Sequence, residues 1–321
     1  MTAIRIEAAG GPEVMRLVDI ALPDPGPGEV RIRHAAIGLN FIDTYHRSGL
    51  YPLPMPSGLG LEAAGVVEAA GAGVSLKPGT RVGYCWGPIG AYATHRNIAA
   101  AQLVVLPDGV SDEMAAAGLL KGCTTEFLVD RCARVQAGDW ALVPAAAGGV
   151  GLLLVQWLKA RGAIVIAVAG TAEKLALAAA NGADHGLLDS SDVAAGVRAL
   201  TGGRGVDVVF DGVGRASWES SLDSLKRRGL LISFGNASGP VSGVDLGILA
   251  RKGSLFTTRP TLFDYYATPA ERQEFGGRVL DMMASGALKL AVNQRYALGD
   301  VARAHADLAA RKTTGSTVLI P

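Results

Sequence analysis

Trp140-Ala141-Leu142-Val143-Pro144-Ala145 runs into Ala146-Ala147-Gly148-Gly149-Val150-Gly151, and then into Leu152-Leu153-Leu154-Val155-Gln156-Trp157-Leu158. A short apolar run, a tight turn of small residues and a longer apolar run follow one another, which reads as strand, turn and helix. Gly148 lets the main chain approach a pyrophosphate, and Gly151 lets the helix pack closely on the strand. N–H groups at the helix start, near Val150, have no partner within the helix and point at an anion. Ala146 stands where the usual G-x-G-x-x-G has its first glycine, so the motif taken alone is degenerate. Its place at the head of a strand–helix series makes it a dinucleotide loop rather than a structural turn.

Downstream, strand candidates fall at 140–145, 163–169, 186–188, 206–210, 229–234 and 253–258. Helix candidates at 150–161, 172–181, 191–200 and 216–226 alternate with them, and Gly162 and Gly182 stand where helices stop. Six strands with helical crossovers predict an α/β fold with a doubly wound parallel sheet of the Rossmann type. Upstream the pattern differs. Val30–Ile37 alternates in and out, Ala63–Gly71 and Arg81–Trp86 behave similarly, and Lys77-Pro78-Gly79 is turn chemistry. Residues 1–120 therefore read as an antiparallel, barrel-like domain, and 121–260 as the nucleotide domain. The tail, 261–321, holds helix candidates at 269–285 and 300–311 and a strand at 317–320. It is expected to return to the first domain, because the six-stranded sheet is complete without it.

The second strand of the nucleotide domain ends at Gly170-Thr171-Ala172-Glu173-Lys174. NAD-selective folds place an acid there to accept from the ribose 2′-OH. Gly170 has no side chain, so nothing at that position repels a 2′-phosphate, and Lys174 near the helix start supplies attraction. NADPH is the expected cofactor; a solvated surface lysine is the alternative reading of Lys174. Glu173 favours the helix N-terminus.

With 321 residues, 30 basic and 29 acidic side chains and 49% apolar residues, the chain suits two domains, with no nucleic-acid footprint or polybasic membrane patch. Apolar runs stop short of a bilayer span. The charged N-terminus lacks an apolar export core, so a cytoplasmic protein is expected. Cys85, Cys123 and Cys132 are too few and too scattered for a disulfide framework.

Several further segments, in order, resemble the medium-chain dehydrogenase/reductases, and within them the zinc-free quinone oxidoreductase branch. They are Gly11–Val14, Ile37–Tyr45, Arg47–Pro52, the Ala145–Gly151 loop and Ser233–Gly239. The resemblance covers the whole chain. It implies a GroES-like barrel domain beside the Rossmann domain, and a homodimer built edge to edge through nucleotide-domain strands. It also implies that Asn40 and Asp43 lie by the nicotinamide end and that Tyr45 and Tyr51 line the quinone cleft. Gly170 and Lys174 match adenosine-phosphate contacts, and Phe234 and Asn236 match contacts near the nicotinamide. Arg311 matches a basic residue that helps hold the cofactor. Ala147, Gly148, Gly149, Val150 and Gly151 form the cofactor loop, and Lys121, Gly122 and Thr124 keep the family's Lys-Gly-x-Thr turn. Two positions depart from the pattern. Asp189 stands where the family has a tyrosine beside the 2′-phosphate, which weakens NADPH selectivity, and Glu126-Phe127 replaces a Tyr-Tyr pair.

Zinc relatives carry a cysteine near Gly38 and a histidine in a Gly-His-Glu motif. Here the segments read Gly38-Leu39-Asn40-Phe41-Ile42-Asp43 and Gly60-Leu61-Glu62-Ala63-Ala64-Gly65, with Leu61 in the histidine slot. His34, His46, His95, His185 and His305 are too dispersed for ligand spacing, so no metal is expected. Without a Lewis acid, the resemblance implies hydride transfer from NADPH to a quinone. An enone or enoyl thioester double bond is the alternative acceptor. A structural or RNA-binding role is disfavoured by the balanced charge and unbroken cofactor loop.

Overall fold

The computed structural model describes residues 1–321, which divide into two compact units: residues 1–123 with 266–321, and residues 124–265. Unit 1 opens with β1 (Thr2–Ile6), β2 (Arg16–Asp19), β3 (Glu29–Leu39), α1 (Phe41–Ser48), β4 (Ser57–Gly58), β5 (Glu62–Ala70), β6 (Arg81–Tyr84), β7 (His95–Ala99) and β8 (Val104–Val105). Helix α2 (Asp112–Glu126) then leads towards unit 2. The long strand β3 organises this unit, pairing antiparallel with both β5 and β7. Its buried positions Val30, Ile32, Ile37 and Leu39 enter a core shared with Ile4, Ile6, Val67, Val82 and Tyr92. A separate three-stranded sheet runs in the order β2-β1-β4.

Unit 2 contains β9 (Trp140–Val143), α3 (Gly149–Ala160), β10 (Ile164–Ala169), α4 (Ala172–Ala180), β11 (His185–Leu188), α5 (Val193–Leu200), β12 (Val206–Asp211), α6 (Trp218–Ser224), β13 (Leu225–Ser233), α7 (Gly247–Arg251), β14 (Phe256–Thr258) and α8 (Leu262–Tyr265). The six strands lie in the order β11-β10-β9-β12-β13-β14, and every pair is parallel. This is the doubly wound Rossmann order, and it places the chain reversal beside β9, whose carboxyl end carries the glycine turn. Leu142, Ile166, Val168, Val209 and Leu231 fill the core of this sheet with Val193, Val197 and Leu222 from its helices.

The tail re-enters unit 1 through α9 (Pro269–Glu271), α10 (Gly277–Ala284), β15 (Val292–Ala297), α11 (Val301–Ala309) and β16 (Ser316–Ile320). Strand β16 lies between β15, with which it is parallel, and β3, with which it is antiparallel, completing the order β15-β16-β3-β5-β6-β8.

The structure corrects some boundaries. The helix expected over 269–285 runs without a gap from Pro269 to Ala284, and a wider π-type turn at Arg272–Gly276 joins α9 to α10 within it. Strand β13 begins at Leu225, four residues early, with a register shift opposite Val206–Val208 that absorbs the extra length. Strand β14 begins late, at Phe256, because Gly253 and Ser254 are both left-handed and turn the chain first. No helix is long and apolar enough to cross a membrane.

Candidate active site

In unit 2 the turn after β9 is drawn against β10, since Ala146 N–H donates to Val168 O at 3.0 Å. Ala145 takes a left-handed φ of 53°, and Gly148 N–H closes the turn onto Ala145 O at 3.0 Å. Helix α3 follows with Gly148 as its N-cap and no side-chain cap. Its first N–H groups, on Gly149, Val150 and Gly151, therefore lack the usual side-chain acceptor and suit an anion. A Cβ on Gly151 would lie 2.4 Å from Ala145 O and 2.8 Å from both Ala146 C and Cα, so only glycine allows this helix to start so close to the turn. Ala147 is buried beneath it.

At the end of β10, Gly170 is exposed and Thr171 caps α4, its Oγ1 accepting from Lys174 N–H at 3.3 Å. A Cβ on Gly170 would stand 3.4 Å from the Asp189 carboxylate. The acid missing from β10 is thus replaced in space by one at the end of β11, held there by Asp189 N–H donating to Ala169 O at 3.0 Å. Lys174, half-buried on the first turn of α4, and Asp189 bring opposite charges to the same end of the sheet.

Two loops close on each other at the carboxyl ends of β12 and β13. Phe234 N–H donates to Asp211 O at 2.8 Å, and a Cβ on Gly212 would meet the Phe234 ring at 2.9 Å. Asn236 stands beside Gly214, whose φ of +93° and 3.3 Å approach to Asn236 Cα demand glycine. Sequence reasoning missed the residue beneath them. Buried Asp211 accepts from Val213 N–H, Gly214 N–H, Ser217 Oγ and Ser221 Oγ, all at 2.7–3.0 Å, and so fixes the 212–214 turn. The serine spacing on α6 was the available signal.

In unit 1 the end of β3 delivers Asn40 to the N-cap of α1. Asp43, at the third helical position, accepts through Oδ2 from Asn40 N–H and from Tyr92 OH, each at 2.9 Å. Asp43 is fully buried and its Oδ1 has no hydrogen-bond partner. Burial outweighs those two hydrogen bonds and pushes its carboxyl up to about 7. Tyr92 OH also stands 3.0 Å from His305 Nε2, and burial holds His305 neutral with its pKa down at about 3. Asn40 donates from Nδ2 to Glu62 Oε2 at 2.8 Å, and Lys121 Nζ lies 3.7 Å from that oxygen. The sequence singled out Asn40, Asp43 and Lys121 but not Glu62 as chemistry-bearing, nor Tyr92 or His305.

Tyr45 and Tyr51 pack edge to face with ring centroids 5.3 Å apart. Exposed Phe41 and buried His46 extend this into an aromatic group at 6.4 and 5.9 Å. Thr124 lies on α2, half-buried, in unit 2. Arg311 is exposed in the turn after α11 with a left-handed φ of 58°. No group of three or more His, Cys, Asp or Glu side chains is placed to hold a metal ion.

Residues 26–108 match the alcohol dehydrogenase GroES-like domain, and residues 149–283 match the zinc-binding dehydrogenase family. The chain is 51% identical over 321 residues to a quinone oxidoreductase of Pseudomonas aeruginosa, covering 99% of each. It belongs to the quinone oxidoreductase family of the medium-chain dehydrogenase/reductases. The crystal structure of Escherichia coli quinone oxidoreductase complexed with NADPH is 47% identical, has a TM-score of 0.98 and covers all of both chains. A 2-haloacrylate reductase from a Burkholderia species is 40% identical over 328 residues, covering 98% of each. As a member of this family, the chain combines the two matched domains.

Proposed function

We propose that the chain reduces quinones by hydride transfer from NADPH. The observation that carries this is full-length identity of 47–51% to quinone oxidoreductases, joined to an intact phosphate cradle at Ala147–Gly151. The cradle fits a pyrophosphate: a helix start without a side-chain cap, and a Gly151 position that any Cβ would disrupt. Gly148–Gly151 hold the pyrophosphate, Gly170 and Lys174 the adenosine end, and Thr124, Phe234, Asn236 and Arg311 the remainder. The bound cofactor supplies the hydride. In unit 1, Asn40 and Asp43 orient the nicotinamide end, and Tyr45 and Tyr51 receive the quinone's flat ring. A quinone spreads the arriving negative charge over its conjugated carbonyls, so positioning and exclusion of water suffice. Reduction takes one hydride and one proton and yields the hydroquinone. Its three free thiols suit a reducing cytoplasm.

The full-length likeness to a 2-haloacrylate reductase favours a second reading, an activated carbon–carbon double bond as acceptor. A panel of quinones, enones and enoyl thioesters decides between them. NADPH oxidation with quinones well above that with the alkenes is expected, and the reverse ranking would replace the first reading by the second.

Cofactor choice turns on two opposed charges. A charge-assisted hydrogen bond from Lys174 is worth about 1.5–3 kcal/mol, and partial exposure draws it to the low end. Lys174→Ala should raise the NADPH dissociation constant about tenfold and leave NADH nearly unchanged. Asp189→Ala should tighten NADPH selectively. Equal effects on both dinucleotides in titrations would remove the 2′-phosphate from this account.

The same reading gives a homodimer through the edge of the Rossmann sheet. Edge strand β14 carries Phe256, 60% exposed, and Leu246 at the start of α7 is 72% exposed. An unpaired edge with such residues favours a partner strand. Light scattering should give twice the mass of one chain for the wild type and a single-chain mass for Phe256→Glu. A wild-type monomer at micromolar concentration would discard the dimer.

A further inference from the structure

Unit 1 buries an ionic cluster that packing alone does not explain. Glu62, the first residue of β5, is fully buried. Its Oε1 accepts from the Leu120 N–H of α2 at 2.6 Å, and its Oε2 accepts from Asn40 Nδ2 at 2.8 Å. Lys121 Nζ stands 3.7 Å from Oε2, at ion-pair rather than hydrogen-bond distance. A glutamine of the same shape satisfies Leu120 through its oxygen but then opposes its own NH2 to that of Asn40. The carboxylate is therefore what fixes which end of the Asn40 amide faces inwards. Desolvating a carboxylate is costly, and an ion pair without close contact is a poor device for stability.

We propose that Glu62 is a positioning residue for the reduction, aiming the Asn40 carboxamide and holding the Lys121 ammonium at the reacting end of the cofactor. This rests on the assignment of Asn40 to the nicotinamide end given above. Glu62 acts on Asp43 as well. Asp43 is faced by Asn40 N–H, Tyr92 OH, Glu62 and Lys121, with His305 and Arg47 beyond Tyr92. The negative charge of Glu62 adds to the burial that raises the Asp43 carboxyl, whereas Lys121 opposes it. Removing that negative charge therefore moves Asp43 ionisation to lower pH.

The test compares the wild type with Glu62→Gln and with the double variant Glu62→Gln/Lys121→Met, using NADPH and whichever acceptor the wild type turns over best. In Glu62→Gln, kcat is expected to fall about thirtyfold while the NADPH dissociation constant stays within about threefold. The pH profile of kcat should shift towards acid. The double variant, which removes the Lys121 charge together with that of Glu62, should regain thermal stability without regaining kcat. If kcat is unchanged in Glu62→Gln, or if kcat and stability return together in the double variant, Glu62 only balances a buried charge and the proposal falls. Should Glu62→Gln fail to fold, a double variant with wild-type kcat overturns it alone. Failure of the quinone reading shows instead in the wild type's choice of acceptor, and leaves the comparison between variants intact.

Discussion

Gly151→Ala is expected to weaken NADPH binding about a hundredfold, the equivalent of losing about 3 kcal/mol of hydrogen bonding to phosphate. The atoms a new Cβ would strike are Ala145 O at 2.4 Å and Ala146 C and Cα at 2.8 Å, all backbone. None of them can rotate aside, so α3 must move off β9 and take its leading N–H groups with it. Gly148→Ala is a useful contrast, because its Cβ meets only Ala145 O, at 3.2 Å. It should lower affinity by crowding the pyrophosphate while leaving thermal stability almost unchanged. Calorimetric titration with NADPH, alongside melting curves, separates the two. Wild-type affinity in Gly151→Ala would show that the helix start does not hold phosphate.

The second large effect is on stability. Gly38 lies buried near the end of β3, and a Cβ there would stand 2.2 Å from both Ala116 O of α2 and Glu62 Oε2. One obstacle is helix backbone and the other is a carboxylate already committed to two donors. Overpacking of this severity costs about 3 kcal/mol, so Gly38→Ala should melt roughly 10 °C below the wild type. A melting temperature within about 2 °C of the wild type would mean that β3 and α2 slide apart freely, against the close approach described.

The β9–turn–α3 segment was legible because two periods meet at a glycine turn, and the other helices of the Rossmann sheet repeat that contrast. Helix α2 was not legible. Its Ala115-Ala116-Ala117 stretch and Leu119 are all fully buried, so no polar face marks a period. Helix α1 is short, and its start lies inside a motif read for chemistry; Asn40 with Asp43 three residues on was the available cap signal. Strand β15 hides in Val292–Ala297, where alternate residues are only partly buried and polar side chains dominate. The site divides in the same way. Glycines that a phosphate needs are local in sequence, whereas the partners of Asp43 and Asn40 are not. Tyr92 is 49 residues from Asp43, Glu62 is 22 from Asn40, and His305 is 213 from Tyr92. No window of sequence brings such groups together; the pairing of β3 with β5 and with β7 and the return of the tail do.

That return has a consequence for the order of assembly. Strand β16 sits inside the seven-stranded sheet rather than at its rim, bonded on one side to β3 and on the other to β15. A growing chain that has emerged as far as residue 265 holds every strand of the Rossmann sheet, yet lacks two strands of the barrel and α11 with His305. Domains fold as units as synthesis proceeds. The part of unit 1 made first must therefore wait for the part made last, with the β3 edge meant for β16 open in the interval. During translation, that edge is where a chaperone or a neighbouring nascent chain would find its hold.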